Sequence, residues 1–190
     1  MRLFPFFMEI LPLVAFFVVY QSVGLIGAAL ASVGLAAVIM IFAAVRERRL
    51  ATFPLFSLLL SALMTATAVL FGEALLIKLQ PTVFNGLFAL VLLGGLAVGK
   101  PVMKVFFAAQ FRLTDATWFT LSKRWGVFFA CLAVANELAW RMLDDDGWVF
   151  VKVFVLAPAS GFFMLAQLPV TLRGRLPDQT TAEKDQPDQP

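Results

Sequence analysis

The sequence contains no histidine, a single cysteine (Cys131) and few charged residues. Without histidine the chain has no imidazole for acid–base catalysis, for metal binding or for a pH switch near neutrality. A single cysteine cannot form an intramolecular disulfide or a cysteine-rich zinc site, and we expect it to be a small buried apolar side chain. The sequence also has no phosphate-binding loop, nucleophile elbow or metal motif. It therefore predicts no cofactor, no metal site and no enzyme.

Apolar residues dominate what is present. They make up 61% of the 190 residues and charged residues 14%, against about 45–50% and about 25% in a soluble domain. A chain of this size has too much surface to hide so many Phe, Leu and Val side chains from water. The composition therefore predicts an all-α polytopic membrane helix bundle with five or six transmembrane helices.

Long apolar stretches indicate where those helices lie, because a helix needs about 20 residues to cross about 30 Å of hydrocarbon. Residues 3–45 contain one charge, Glu9. They predict two spans with a turn at 20–24 or, alternatively, one span at 22–45 after an interfacial or re-entrant helix. Pro81 is expected to lie just outside the fourth span, as a helix opener. The predicted spans are about 3–20, 24–45, 50–72, 82–99, 125–143 and 148–172.

The segment 100–124 joins the fourth and fifth spans, and we expect it to be amphipathic and to lie on the cytoplasmic membrane surface. Its apolar side chains recur at near-helical spacing between basic residues, which is typical of a helix on an anionic leaflet. Asp115 is expected to cap the next helix. Contact with the membrane surface or with a partner is predicted for Lys100, Lys104, Phe106, Phe107, Arg112, Trp118 and Trp125.

The distribution of Lys and Arg predicts the orientation. With six spans and a cytoplasmic N-terminus, twelve of the 15 basic residues face the cytoplasm, and the acidic run Asp144–Asp146 lies outside. Residues 1–172 then form one transmembrane domain, and 173–190 form a disordered cytoplasmic tail. The positive charge is explained by topology and anionic lipid, so no nucleic-acid partner is predicted. The outer basic residues are Lys78, Arg141 and Lys152.

Polar residues within or beside the spans are the candidate functional residues, since a charge in the hydrocarbon costs at least about 2.5–3.5 kcal/mol. Glu9 needs a partner or a proton if its segment spans the membrane, and simply faces water if that segment is interfacial. Glu137 and Arg141 can pair one helical turn apart. Lys152 is expected to extend outward to the interface. The candidates are Glu9, Lys78, Pro81, Thr82, Asn85, Asn136, Glu137 and Lys152.

Several phrases of the sequence carry a resemblance to a known family. They are 9–20 (EILPLVAFFVVY), 77–89 (IKLQPTVFNGLFA) and 148–154 (WVFVKVF), together with a run from Trp118 through Trp125 to Asn136. They resemble the bacterial intracellular septation protein A family of YciB-type inner-membrane-spanning proteins. The chain departs from the family's usual residues at three positions: Gln21, Gln80 and Ser122.

The resemblance implies a multi-pass protein of the bacterial inner membrane, tied to cell-envelope maintenance and septation. The leading hypothesis is a non-enzymatic scaffold that contacts envelope-synthesis or division proteins through helix faces and the segment 100–124. Gly95 and Gly99 form a GxxxG motif, which indicates close helix contact within the chain or in a homo-oligomer. The alternative is a small transporter, channel or lipid-handling protein, whose polar residues would converge on an intramembrane pocket.

Overall fold

A computed structural model describes residues 4–47, 52–108 and 110–176, with side chains in 10–46, 55–108 and 110–176. Apart from one antiparallel bridge between Leu113 and Arg175, the regular structure in these ranges is helical. The helices are α1 (Phe4–Glu47), α2 (Thr52–Phe71), α3 (Leu75–Ala97), α4 (Val102–Phe107), α5 (Asp115–Met142), α6 (Asp145–Phe150), α7 (Ala157–Ala166) and α8 (Leu168–Arg173), and a π-helical segment, Val151–Leu156, joins α6 to α7.

Helix α1 is interrupted at Gly24, at the end of the predicted first turn. Gly24 has φ 79° and ψ −172°, a left-handed conformation that glycine adopts without a Cβ penalty. The break divides α1 into a first segment, residues 4–23, and a second segment, residues 25–47. Both segments contribute to one apolar core, where Phe16 and Ala28 pack with Ile77 of α3.

The centre of the bundle is the contact between α3 and α5. Gly126 of α5 is buried, and a Cβ atom there would lie 2.7 Å from Leu93 Cδ2 and 3.3 Å from Leu92 Cβ. The missing side chain therefore lets the two backbones approach closely, as small residues do in membrane helix pairs. Phe88 and Leu92 of α3 are buried at this contact.

Two predicted ends of the fourth span are wrong. Helix α3 begins at Leu75, so Pro81 lies inside the helix rather than just before it. Gly99 has φ 70°, and the Lys100 N–H donates to the Gly95 carbonyl at 2.8 Å. Gly99 therefore ends α3 in the way that a glycine commonly terminates a helix, whereas Gly95 lies in the last turn of α3, where a Cβ atom would collide with Val102 of α4.

The segment 100–124 is not one surface helix. Among its described residues before Asp115, the six of α4 are helical, and α5 starts at Asp115, ten residues before the predicted fifth span. The side chain of Thr114, not of Asp115, caps α5 by accepting the Thr117 N–H at 3.3 Å. The segment is also tied to the end of α8, where the Thr114 N–H donates to the Gly174 carbonyl at 2.9 Å.

Three helices among the described residues are long and apolar enough to cross a bilayer: Ile10–Arg46, Leu75–Ala97 and Asp145–Arg173. Helix α5 has 28 residues, about 42 Å of helix, and carries charges towards both ends. Large apolar side chains are widely exposed on the helix faces, among them Leu63 and Leu90. The protein is thus an all-α membrane protein.

Replacing Gly126 by Val should destabilise the contact between α3 and α5. The added side chain meets Leu92 and Leu93, and overpacking of this kind costs about 1–3 kcal/mol in the free energy of unfolding. Gly86→Val is the matched control, because a Cβ on Gly86 of α3 meets nothing within 4 Å. Unfolding in mixed detergent micelles measures both variants; equal stability of the two would contradict the close contact.

Candidate functional site

The buried amide of Asn136 is the centre of a polar network at the end of the bundle that carries the turn 143–147. Its Nδ2 donates to the Lys78 carbonyl and to Thr82 Oγ1, each at 2.8 Å. Its Oδ1 accepts the Trp148 Nε1–H at 3.1 Å. Asn136 and Trp148 are both fully buried. One side chain of α5 therefore joins α3 to α6, and both of its polar atoms are hydrogen-bonded.

Pro81 helps to explain why α3 can accept a bond from its neighbour. Proline has no N–H, so the carbonyl of Ile77 loses its usual donor and the helix is locally loosened. The next carbonyl along the chain, that of Lys78, accepts from Asn136. Thr82, one turn further on, bonds to Asn136 and donates to Glu137 Oε2 at 3.2 Å.

Glu137 extends the network outward along α5. Its Oε2 accepts the Trp140 Nε1–H at 2.8 Å, and its Oε1 accepts the Arg141 Nε–H at 2.7 Å. The predicted pair of Glu137 and Arg141 is thus present, with the acid on the N-terminal side as helices favour. The Arg141 guanidinium also lies 4.5 Å from the ring centroid of Trp140.

The acidic run Asp144–Asp146 fastens three helices together. Asp144 caps α6 by accepting the Gly147 N–H at 2.8 Å. Asp145 forms an ion pair with Lys78 of α3, and Asp146 accepts the Tyr20 hydroxyl of α1 at 2.6 Å. These bonds to α1, α3 and α6 give the run a structural role that its sequence did not reveal.

The side chain of Lys152, which the sequence predicts to extend outward to the interface, is half-buried against aromatic rings. Its ammonium is 3.8 Å from the ring centroid of Phe16 and 4.8 Å from that of Trp148. These aromatic faces attract a cation and hold the side chain between α1 and the last helical run, Asp145–Arg173. The π-helical segment Val151–Leu156 begins beside it. Pro158 accounts for that widened turn, because its ring would clash with the carbonyl four residues earlier.

At the opposite end of the bundle, Trp118 is 2% exposed and packs with Leu113 and Leu121. Its predicted role as a surface contact is therefore wrong for this chain, since the end of α8 returns to cover the start of α5. Gly174 makes this cover possible: a Cβ atom there would lie 1.9 Å from Thr117 Oγ1. Sequence spacing alone could not show that residues so distant meet.

Three of the predicted surface residues are exposed: Lys100, Lys104 and Arg112. Lys104 pairs with Asp115 at 2.7 Å. Among the aromatic candidates, Trp125 is half-buried and packs edge-on against Phe163 of α7, with centroids 5.0 Å apart. The others with half-buried side chains are Phe106 and Phe107.

The chain is similar in sequence to known proteins. The family model of intracellular septation protein A matches residues 4–176. The chain belongs to this family. No solved structure matches it.

Relatives of this septation protein A family member carry the name inner membrane-spanning protein YciB. One from Agrobacterium fabrum strain C58 is 40% identical over 126 residues, covering 66% of this chain and 62% of the relative. Another, from Rhizobium meliloti strain 1021, is 38% identical over 165 residues, covering 87% and 75%. A third, from Bradyrhizobium sp. strain BTAi1, is 37% identical over 175 residues, covering 90% and 86%. The match thus spans less than two thirds of the Agrobacterium protein. With these names and its apolar helices, the chain is a multi-pass inner-membrane protein.

Two of the three positions where the chain departs from the usual residues of the septation protein A family, Ser122 and Gln80, form hydrogen bonds of their own. Ser122 is fully buried, and its hydroxyl accepts the Met103 N–H at 3.3 Å. Gln80 donates to the Ser61 hydroxyl of α2 at 2.6 Å. Both side chains therefore tie neighbouring helices together, although each is shorter or less charged than the residue more usual at that position.

The remaining candidates lie outside the network. Asn85 is half-buried and has no hydrogen bond to any of the described residues. The side chain of Glu9 lies outside the described part of the chain. Cys131 is exposed on α5, so its predicted burial is wrong. The network partners that the sequence did not indicate are Tyr20, Trp140 and Trp148, and only Trp140 shares a local spacing with its partner.

Replacing Asn136 by Leu should remove the bridge between α3, α5 and α6. The change preserves volume but leaves the buried Trp148 Nε1–H without an acceptor, which costs about 1–3 kcal/mol. The control Asn85→Leu should change the free energy of unfolding by less than about 0.5 kcal/mol. Detergent unfolding of the two variants checks this expectation, and an Asn136→Leu protein as stable as the parent would refute the bridging role.

Proposed function

We propose that this protein is a non-enzymatic scaffold of the inner membrane that supports cell-envelope maintenance and septation. Membership of the septation protein A family supports a part in septation. The Asn136 network, whose polar atoms are all bound within the protein, supports a scaffold. The polar atoms of Asn136 are bound to Lys78, Thr82 and Trp148. A transport pocket instead needs polar groups that are available to a substrate. A network whose polar groups already hydrogen-bond to each other fits a structural role better than a transport role.

The proposed partner surface lies around α4. Lys100 and Arg112 are exposed there, and Val105 is 81% exposed between them. Phe111 is also exposed. A surface that combines basic and apolar side chains suits contact with the anionic leaflet and with other membrane proteins. We therefore assign the contacts with envelope-synthesis or division proteins to this surface, and a second copy of the chain could use the same exposed groups.

We further assign this surface, both ends of the chain and the turn after α8 to the cytoplasmic side. The excess of Lys and Arg at this end of the bundle supports that orientation, because cytoplasmic loops retain positive charge. The acidic turn 143–147 then faces the outside. In this arrangement the network around Asn136 lies towards the outer interface, and the partner surface lies in the cytoplasm.

Reversing the charge of the partner surface should abolish function without loss of protein. The triple change Lys100→Glu, Lys104→Glu and Arg112→Glu is expected to fail to complement a deletion strain and to reduce crosslinking to membrane proteins several-fold, at normal abundance. Adding Asp115→Lys restores an ion pair with position 104. If the lost surface charge, and not the lost ion pair, is responsible, this addition should not rescue function. Unchanged crosslinking and full complementation in the triple variant would exclude this docking surface.

Labelling of single cysteines distinguishes the scaffold from a transporter or channel. In a Cys131→Ala background, cysteine at position 136 should resist membrane-impermeant reagents from either side, because Asn136 is buried. Cysteine at position 21 is the positive control, since Gln21 is exposed near the break in α1. Rapid labelling of positions 85, 136 and 137 from one side would reveal a water-filled polar cavity and overturn the scaffold proposal.

A further inference from the structure

The half-buried ammonium of Lys152 is a cation without a carboxylate partner among the described residues. Its neighbours are the rings of Phe16 and Trp148. Two other cations at this end are paired, Lys78 with Asp145 and Arg141 with Glu137. In the low dielectric of a membrane protein an unpaired ammonium attracts an anion strongly, and ionisable groups at such depth commonly have a functional partner.

Two carboxylates nearer the end of the bundle lack a basic partner, again among the described residues. Asp144 accepts the backbone N–H of Gly147, and Asp146 accepts the Tyr20 hydroxyl. Both are exposed and keep free acceptor positions, since a carboxylate can accept about four hydrogen bonds. Asp146 precedes Lys152 by six residues, which is about 9 Å of helix. Positive charge thus lies deeper, and negative charge lies nearer the water.

Exposed apolar side chains flank the line of contact between the first segment of α1 and the helical run Asp145–Arg173, and we call this line the groove. Val14 and Val18 are exposed on α1, and Phe150, Phe154 and Val155 are exposed on the opposite side. The two sides touch through aromatic rings, such as Phe17 and Phe154 with centroids 5.1 Å apart. The groove therefore opens on the face of the bundle that lipid tails cover.

We propose that this groove binds one phospholipid with a primary-amine headgroup, phosphatidylethanolamine by chemistry. The lipid phosphate pairs with Lys152, and its ammonium pairs with Asp146 and Asp144. In such a lipid the phosphate lies next to the acyl chains and the amine lies beyond it, which is the order of the charges in the groove. The acyl chains lie along Val14, Val18 and Phe154.

Other phospholipid headgroups fit this order of charges less well. The headgroup of phosphatidylglycerol carries a phosphate and no ammonium, so its approach leaves both carboxylates unpaired and adds a like charge near them. Phosphatidylcholine carries a quaternary ammonium that cannot donate a hydrogen bond to Asp146. The π-helical segment beside Lys152 is consistent with a ligand site, because isolated π turns are frequent at functional sites.

Native mass spectrometry of the full chain in detergent, titrated separately with the three phospholipids, tests the proposal. The protein should bind phosphatidylethanolamine about tenfold more tightly than phosphatidylglycerol or phosphatidylcholine, the difference expected for one charge-assisted hydrogen bond. Lys152→Gln removes the partner of the phosphate that all three lipids share and should weaken the binding of each, whereas Lys152→Arg should keep it. Asp146→Asn, which can still accept from Tyr20, should lose the distinction between the amine and choline headgroups.

Lys100→Gln is the matched control, because it removes an exposed lysine at the other end of the bundle and should leave the preference unchanged. Equal binding of the three lipids by the parent protein would overturn the proposal, and this comparison needs no variant that must fold. Tighter binding of phosphatidylglycerol would overturn it as well. Binding of phosphatidylethanolamine that is as tight in a folded Lys152→Gln protein as in the parent would place the lipid elsewhere.

Discussion

The buried amide of Asn136 is the interaction on which the rest of the half of the bundle that carries the turn 143–147 depends. It reaches α3 through Thr82 and a backbone carbonyl, and α6 through the indole of Trp148. In a membrane, apolar burial does little to hold helices together, because lipid tails are as apolar as Leu side chains. A hydrogen-bonded amide therefore specifies which helices meet, and at which register, where apolar packing would allow many arrangements.

The acidic turn adds a second layer to the same assembly. Asp145 fastens Lys78, and Asp146 fastens Tyr20 of α1. Such bonds at exposed positions contribute little individually. They act at the ends of helices whose buried parts already share Asn136 and Trp148, so they fix the relative height of α1, α3 and α6. The first segment of α1 meets the last helical run chiefly through the side chains of Phe16 and Phe17.

The sequence predicts the class of the protein, because the excess of apolar residues and the near absence of charge in long stretches are properties of composition alone. It also predicts the pair of Glu137 and Arg141, since helix geometry brings residues four apart together. It could not predict that Asn136 meets Lys78, 58 positions away. The prediction that Pro81 lies just outside the fourth span was wrong, because prolines are tolerated inside membrane helices when neighbours bind the freed backbone. The prediction that Trp118 contacts the membrane surface was wrong, because the return of the chain at Gly174 buries that ring.

The distribution of satisfied and unsatisfied polar groups separates two roles within one structure. Groups that bind each other, such as Asn136 and Thr82, define the bundle and would lose stability if a substrate competed for them. Lys152 and Asp146 lack a counter-charge among the described residues and lie beside α1, where the proposed lipid would reach them without breaking a helix contact. In the proposed scaffold this division would allow a bound lipid to fill the groove while the network keeps the helices, and thereby the proposed partner surface around α4, in place.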